Sequence, residues 1–323
     1  MWQDLNVCSS LPYIKVFHGG IHMIQLLNNK LKIERVPALA PYVTLQKRHL
    51  TDTQYGSSLP INESAYHMLT KVDGQRTEAS ITAELADLFQ VDESVIARDF
   101  YQLMMGLNQH QLLSIHYQSP YRTVTAFCQF FKQYQVKMKE RFDCTGHSFL
   151  HILGTALLMV TRKIIFFWVL FMIMAGIAFL FIPDPSIAAI AIYFTIIYFG
   201  LITGTALHEA AHGYAHRKFA GRDGPQGFFA SDMMSVKFVR PVLDPFQKKQ
   251  VWITLLGPLL PGLIGATGII VTVLFLKENP ISTGFFIFSI TYFIQLLYLL
   301  PFMGDGKSIM KQLLLGGMGG QRS

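Results

Sequence analysis

Four stretches of this chain, Ile164–Ile182, Ile187–Leu207, Val251–Leu276 and Ile281–Leu300, each run about twenty residues without a charged side chain. A backbone amide in hydrocarbon has no water to bond, so a stretch of this kind must satisfy its own N–H and C=O groups as a helix. Four transmembrane helices follow. Only 15% of the 323 residues are charged and 51% are hydrophobic, against about 25% charged in a soluble domain. The links between the runs set the orientation, because Lys and Arg accumulate on the cytosolic side. Arg162 and Lys163 precede the first run, Arg217, Lys218, Arg222, Lys237, Arg240, Lys248 and Lys249 separate the second from the third, and Lys307 and Lys311 follow the fourth. Pro183–Ser186 has no basic residue and Lys277–Pro280 has one. Both termini are therefore expected in the cytosol, in a multi-pass protein of the cell membrane.

The net charge of +7 is carried by those loops. It points to anionic lipid as a partner and gives no separate reason for a nucleic-acid one. Cys8, Cys128 and Cys144 are widely spaced, which argues against a disulfide framework or a zinc ribbon. Asp4, Lys15 and His18-Gly19-Gly20 make the start of the chain a poor signal peptide. The sequence contains no indication of oligomeric state.

The second run leads into His208-Glu209-Ala210-Ala211-His212. Residues four apart on a helix lie nearly above one another, so two imidazoles converge on one ion and zinc is the expected one. The intervening Glu209 is free to take a proton from the attacking water during hydrolysis. The plainer alternative is an interfacial helix with two solvated histidines. Catalytic zinc needs a third protein ligand. His216 shares the face but lies about 12 Å along the axis from His208, too far for ligand bonds of about 2 Å. Asp305 in Leu300-Pro301-Phe302-Met303-Gly304-Asp305-Gly306 falls at the cytosolic end of the fourth run, the same depth as the two histidines. An equal reading of Asp305 alone is the cap of a short helix over Lys307–Leu315. Asp223, Asp232 and Asp244 are weaker candidates on the long loop.

His208–His212, then Gly257-Pro258, then Asp305-Gly306, in that order and across about residues 164–315, resemble the site-2 protease family of intramembrane zinc metalloproteases. The resemblance implies that His208, His212 and Asp305 hold zinc and that Glu209 activates water. The chain departs from the pattern at Tyr298-Leu299-Leu300-Pro301, where the family carries an Asn, and at Pro261, where Asn is common. The side chain stabilising the oxyanion is thereby left open, with Gln295 and Tyr298 as substitutes. Gly200 and Gly204 are expected to admit a neighbouring helix. The stretch Phe228–Val239 reads as strand-like, either an edge for an extended substrate or a membrane-surface hairpin.

Residues 31–116 have the rhythm of a small soluble domain. A helix from about Asn62 to Val72 ends at Asp73-Gly74, Thr77 caps a second with Ile81, Leu85, Leu88 and Phe89 on one face, and Asp92 caps a third carrying Val95, Ile96, Phe100, Leu103 and Leu107. A short strand follows at Leu112–Ile115. The order is that of a winged helix and is similar to the PqqD-like domains that recognise ribosomally made, post-translationally modified peptides. That resemblance implies a leader peptide held as an added strand on a sheet edge. A structural or DNA-binding winged helix is the alternative.

Residues 117–163 mix Tyr121, Phe127, Phe130, Phe131 and Tyr134 with Lys132, Lys137, Lys139 and Arg141, as expected of a connector lying on an anionic leaflet. His147–Val160 is too short to span and is expected to be interfacial or re-entrant. The expected fold class is thus a polytopic α-helical membrane protein, with four transmembrane helices forming a site-2 protease-like core and a small N-terminal cytosolic winged-helix domain. Its parts are an amphipathic segment at 1–30, the peptide-binding domain at 31–116, the connector at 117–163, the metalloprotease domain at 164–315 and a Gly-rich tail at 316–323. The expected activity is zinc-dependent cleavage of a modified precursor peptide near the cytosolic membrane face. Cleavage of a membrane-bound regulator, or peptide binding or immunity without catalysis, are the competing functions.

Overall fold

The computed structural model describes residues 30–319 apart from 136–137, 144–147, 222–223, 234 and 242–247. The expected amphipathic segment at 1–30 lies, but for its last residue, outside the described residues, as do His147, Asp223 and Asp244.

The N-terminal domain opens with four short strands that hydrophobic pattern alone did not reveal: β1 (Glu34–Leu39), β2 (Val43–Gln46), β3 (His49–Asp52) and β4 (Ser57–Pro60). Three helices follow, α1 (Glu63–Thr70), α2 (Glu78–Phe89) and α3 (Glu93–Gln109), and then β5 (Leu113–Gln118). Caps fix the helix starts, since Asn62, Thr77 and Asp92 each accept an N–H of the first turn. Leu50, Leu69, Ile81, Leu85, Phe100, Met104 and Leu113 fill the core. Leu88, expected on the buried face of α2, is exposed. β1 pairs antiparallel with β5, and β2, β3 and β4 form a separate antiparallel sheet in that order. Among the described residues β4 therefore has one unpaired edge.

The connector folds as α4 (Arg122–Phe131), a 3-10 turn at Lys132–Tyr134, and β6 (Glu140–Asp143). The aromatic side chains of α4 and the turn meet Phe166 and Phe167 of the following helix, which seats them at the start of the apolar region. That helix, α5 (Phe149–Phe181), is continuous over 33 residues. The stretch to Val160 expected as a separate interfacial segment is its first turns, so the boundary expected at 163/164 falls inside a helix. Its apolar residues Ile152, Ala156, Met159 and Val160 bury against Ala206, Ala210 and Phe229, which is reason enough to extend the helix.

Next come α6 (Pro185–Ala220), the hairpin β7 (Phe228–Ser231) and β8 (Val236–Val239), α7 (Lys248–Phe275), α8 (Pro280–Phe293), a 3-10 segment at Ile294–Leu299 and α9 (Gly304–Gly319). Among the described residues, four helical stretches are long and apolar enough to cross a membrane. The tail expected from residue 316 continues α9 as far as Gly319. Gly200 on α6 permits the expected close packing, because a Cβ there would lie 2.1 Å from Thr291 Oγ1 on α8.

β6, β7 and β8 make one antiparallel sheet in that order, and this sheet joins the two halves of the protein. Arg141 of β6 donates to Asp143 at 2.6 Å, to Gln54 Oε1 at 2.6 Å and to the Asp52 carboxylate, and its guanidinium lies 4.0 Å over the Phe228 ring. Gln226 N–H donates to Gln54 C=O at 2.9 Å. The Tyr55 hydroxyl donates to Arg240 C=O at 3.1 Å. The β3–β4 turn is thus bolted to the sheet beside α6. Arg141 and Asp52 are almost completely buried, and removing one member of such a pair strands a charge at a cost of about 3–5 kcal/mol. Arg141→Ala is therefore expected to expose the Asp52–Gly56 turn and β6 to hydrogen exchange, while protection in the α2–α3 core is retained.

Candidate metal centre

α6 brings His208 and His212 one above the other, as four-residue spacing requires, and both are buried. Asp305, in the first turn of α9, reaches them from the opposite side. His208 Nε2 lies 3.0 Å from Asp305 Oδ2, His212 Nε2 3.4 Å from Asp305 Oδ1, and the two Nε2 atoms are 3.2 Å apart. One ligand atom from each residue fits within 4.8 Å of the others.

A tetrahedral site with bonds of about 2.0–2.1 Å has ligand–ligand edges of about 3.3 Å. The 3.2 Å between the two Nε2 atoms is close to such an edge, and with one carboxylate oxygen as third ligand all three atoms lie within 4.8 Å of one another, a spacing and donor chemistry that fit zinc. His212 Nδ1 lies 2.7 Å from Ile253 C=O. A carbonyl only accepts, so Nδ1 donates to it and Nε2 is the ring nitrogen turned to the cluster.

Two glycines make this convergence possible. A Cβ at Gly257 on α7 would lie 2.2 Å from His212 Cε1 and Nε2, and one at Gly306 would lie 2.1 Å from Leu300 C=O. The Gly of Gly-Pro and the Gly of Asp-Gly are thus two positions near the cluster where nothing larger than hydrogen fits.

Glu209 points into the same space. Its Oε1 is 4.0 Å from His208 Nε2 and its Oε2 accepts the Phe238 N–H at 2.5 Å. In the β7–β8 ladder Phe229 stands opposite Phe238, and Asp232 N–H bonds Ser235 C=O at the hairpin end. That alternation turns the Phe238 N–H away from β7, toward α6. The strand-like stretch is therefore a hairpin whose open edge faces the site.

The cluster and Glu209 line a cavity of about 760 Å³, shared with Gln295, Tyr298, Gln250, Arg240, Lys163 and Lys237. Tyr298 meets the His208 ring edge-on at 5.0 Å. Gln295 is buried, with its Oε1 unpartnered among the described residues. His216 is buried elsewhere, 6.0 Å from the Phe238 ring, and takes no part in the cluster. Asp232 accepts Ser235 N–H in the hairpin turn. Arg240 carried no signal in the sequence, where it is one of several basic loop residues. Burial pushes its guanidinium down from the ordinary range, and the Asp305 and Glu209 carboxylates oppose that.

Residues 49–113 match the family model described as Coenzyme PQQ synthesis protein D (PqqD). The match begins at β3 and ends at the start of β5, so it covers the three helices and leaves the membrane helices outside it. No curated protein and no solved structure matches the chain. The PqqD-like domain therefore rests on the family match, and the metal cluster rests on geometry. Gly257→Ala is expected to push His212 out of line and to weaken zinc binding by about tenfold or more, read as zinc per chain in the purified protein. The helix itself should tolerate alanine.

Proposed function

We propose that this chain is a membrane-embedded zinc endopeptidase that cuts a ribosomally synthesised, modified precursor peptide near the cytosolic membrane face, with a site-2 protease-like core. The observation that carries the reading is the convergence of His208, His212 and Asp305 beside the Glu209 carboxylate in one cavity. Zinc held by these three residues would supply a Lewis acid for the scissile carbonyl. Glu209 accepts the proton of the attacking water and passes it to the leaving amine. The Phe238 N–H holds the Glu209 carboxylate toward the cavity rather than along the helix. Gln295 and Tyr298 line the same cavity as polar groups for the developing oxyanion.

The PqqD-like domain supports a peptide substrate, and β4 is the edge on which one would add as a strand. Ile61 N–H bonds Arg48 C=O and Thr51 stands opposite Ser58, so the Ser58 N–H and C=O point outward from the sheet. The start of β4 lies two residues beyond Tyr55, whose hydroxyl bonds the carbonyl of Arg240 in the cavity wall. A peptide paired with β4 would thus leave the domain close to the cavity. This continuity favours a captured precursor over a membrane-bound regulator sensed at a distance. The loop charges support the orientation, with both termini cytosolic.

Glu209→Gln is expected to lower cleavage of a precursor peptide by about 10²- to 10⁴-fold with zinc content unchanged, followed by mass spectrometry of the products. Cleavage at the wild-type rate would leave a peptide-binding protein without this general base. Ser58→Pro removes an outward N–H at an edge position where proline is tolerated. Leader affinity measured by fluorescence polarisation should fall about tenfold without loss of thermal stability.

A further inference from the structure

The cavity holds three cationic side chains, Lys163, Lys237 and Arg240, and two carboxylates, Glu209 and Asp305. Asp305 is taken up by the two histidines and Glu209 by the Phe238 N–H. Lys163 donates its ammonium to Gln133 C=O, and Lys237 is exposed. Arg240 differs from both. Its guanidinium makes one bond, to Thr254 Oγ1 at 2.7 Å, and has no carboxylate within ion-pair distance among the described residues. A guanidinium carries five N–H donors in a planar fork suited to a carboxylate, so most of this one's capacity is unused.

A second, independent observation lies on the same wall. Gln250 is 3% exposed and its Nε2 has no partner among the described residues. It sits one turn before Thr254 on α7, and the Thr254 hydroxyl donates to its carbonyl at 2.9 Å while accepting from Arg240. An unmade hydrogen bond at a buried donor is costly enough that native proteins seldom leave one. Two donor groups therefore stand together over the cavity, a guanidinium with one of its hydrogens accepted by Thr254 and an amide Nε2 with no acceptor among the described residues. The Arg240 backbone is held by the Tyr55 hydroxyl of the PqqD-like domain, so the position of this wall is tied to the domain that would bring the peptide.

We propose that Arg240 and Gln250 form a carboxylate subsite of the cavity, which takes an acidic side chain of the substrate next to the scissile bond. The proposal rests on the peptidase reading for its substrate but on the unpaired donors for its chemistry. A free C-terminal carboxylate offers the same acceptor and is the other source to distinguish.

The test uses the full-length chain with Glu209→Gln, so that no probe is cut, and three fluorescein-labelled decapeptides of one sequence. The first carries Asp at two central positions and blocked ends, the second Asn at those positions and blocked ends, and the third Asn with a free C-terminus. Fluorescence polarisation in detergent is expected to show the Asp peptide binding about fivefold or more tightly than the blocked Asn peptide. The preference should vanish on adding Arg240→Gln and shrink with Gln250→Leu. A preference for the free C-terminus instead, lost in Arg240→Gln, supports the subsite and assigns it to a chain end. Equal binding of all three peptides, no binding of any, or a preference that survives Arg240→Gln overturns the proposal. The ratio on unsubstituted Arg240 does not depend on whether that variant folds. Absence of cleavage by the unmodified chain would count against the peptidase reading alone, because this measurement is of binding.

Discussion

The close approach of α6, α7 and α9 is the constraint on which the site depends. His208 and His212 sit on one face of α6 by helical periodicity, but that face meets Asp305 only because α7 and the lead-in to α9 come within a side chain's radius of it. At Gly257 the space a methyl group would take is filled by the His212 ring, and at Gly306 it is filled by the carbonyl of Leu300. Helices in a bilayer gain little from apolar burial against one another, so small residues that permit contact decide how closely they pack. Gly200 does the same about two turns before His208 on α6, where Thr291 fits against the backbone.

The second organising contact lies outside the apolar bundle. Four residues of the connector, Glu140–Asp143, become the first strand of a sheet whose other two strands come from the loop after α6. Arg141 then ties that sheet to the PqqD-like domain through Asp52 and Gln54. The far strand, β8, reaches Glu209 through the Phe238 N–H. One small sheet thus touches the PqqD-like domain at one edge and the general-base candidate at the other. A shift of the PqqD-like domain would be felt at the cavity wall through this sheet and through Tyr55 and Arg240.

Much of this architecture is legible in the amino-acid sequence. The His208–His212 spacing reads directly as one helix face, whereas the depth of Asp305 leaves ligand and helix cap equal and only the Asp-Gly resemblance to the site-2 proteases favours the ligand. The three helices after β4 were readable because their caps and apolar periods are strong. Of the strands, β5 and the β7–β8 hairpin were readable, and β1 to β4 and β6 were not. Ser57-Ser58-Leu59-Pro60 and Glu140-Arg141-Phe142-Asp143 are too short to show alternation, and their pairing partners lie 5 to 91 residues away in sequence. The start of α5 was misplaced because Arg162-Lys163 looks like the cytosolic border of a span. Lys163 is in fact buried, bonded to Gln133 C=O with its ammonium 5.6 Å from the Tyr134 ring, and the helix continues through it.

The sequence by itself determined that the chain has four apolar helices, a helical His-Glu-x-x-His face and a small capped-helix domain before them. Each of these is a local property, set by composition and by a period of 3.6 residues within one segment. Only the tertiary structure decided which carboxylate faces the histidines, which backbone N–H holds Glu209, and which of many basic loop residues enters the cavity. These depend on how distant segments cross, and Arg240 is the clearest case. In sequence it is one more cytosolic cation, and in the fold it is a cavity-wall guanidinium beside Gln250 that makes one hydrogen bond, to Thr254, and no ion pair among the described residues.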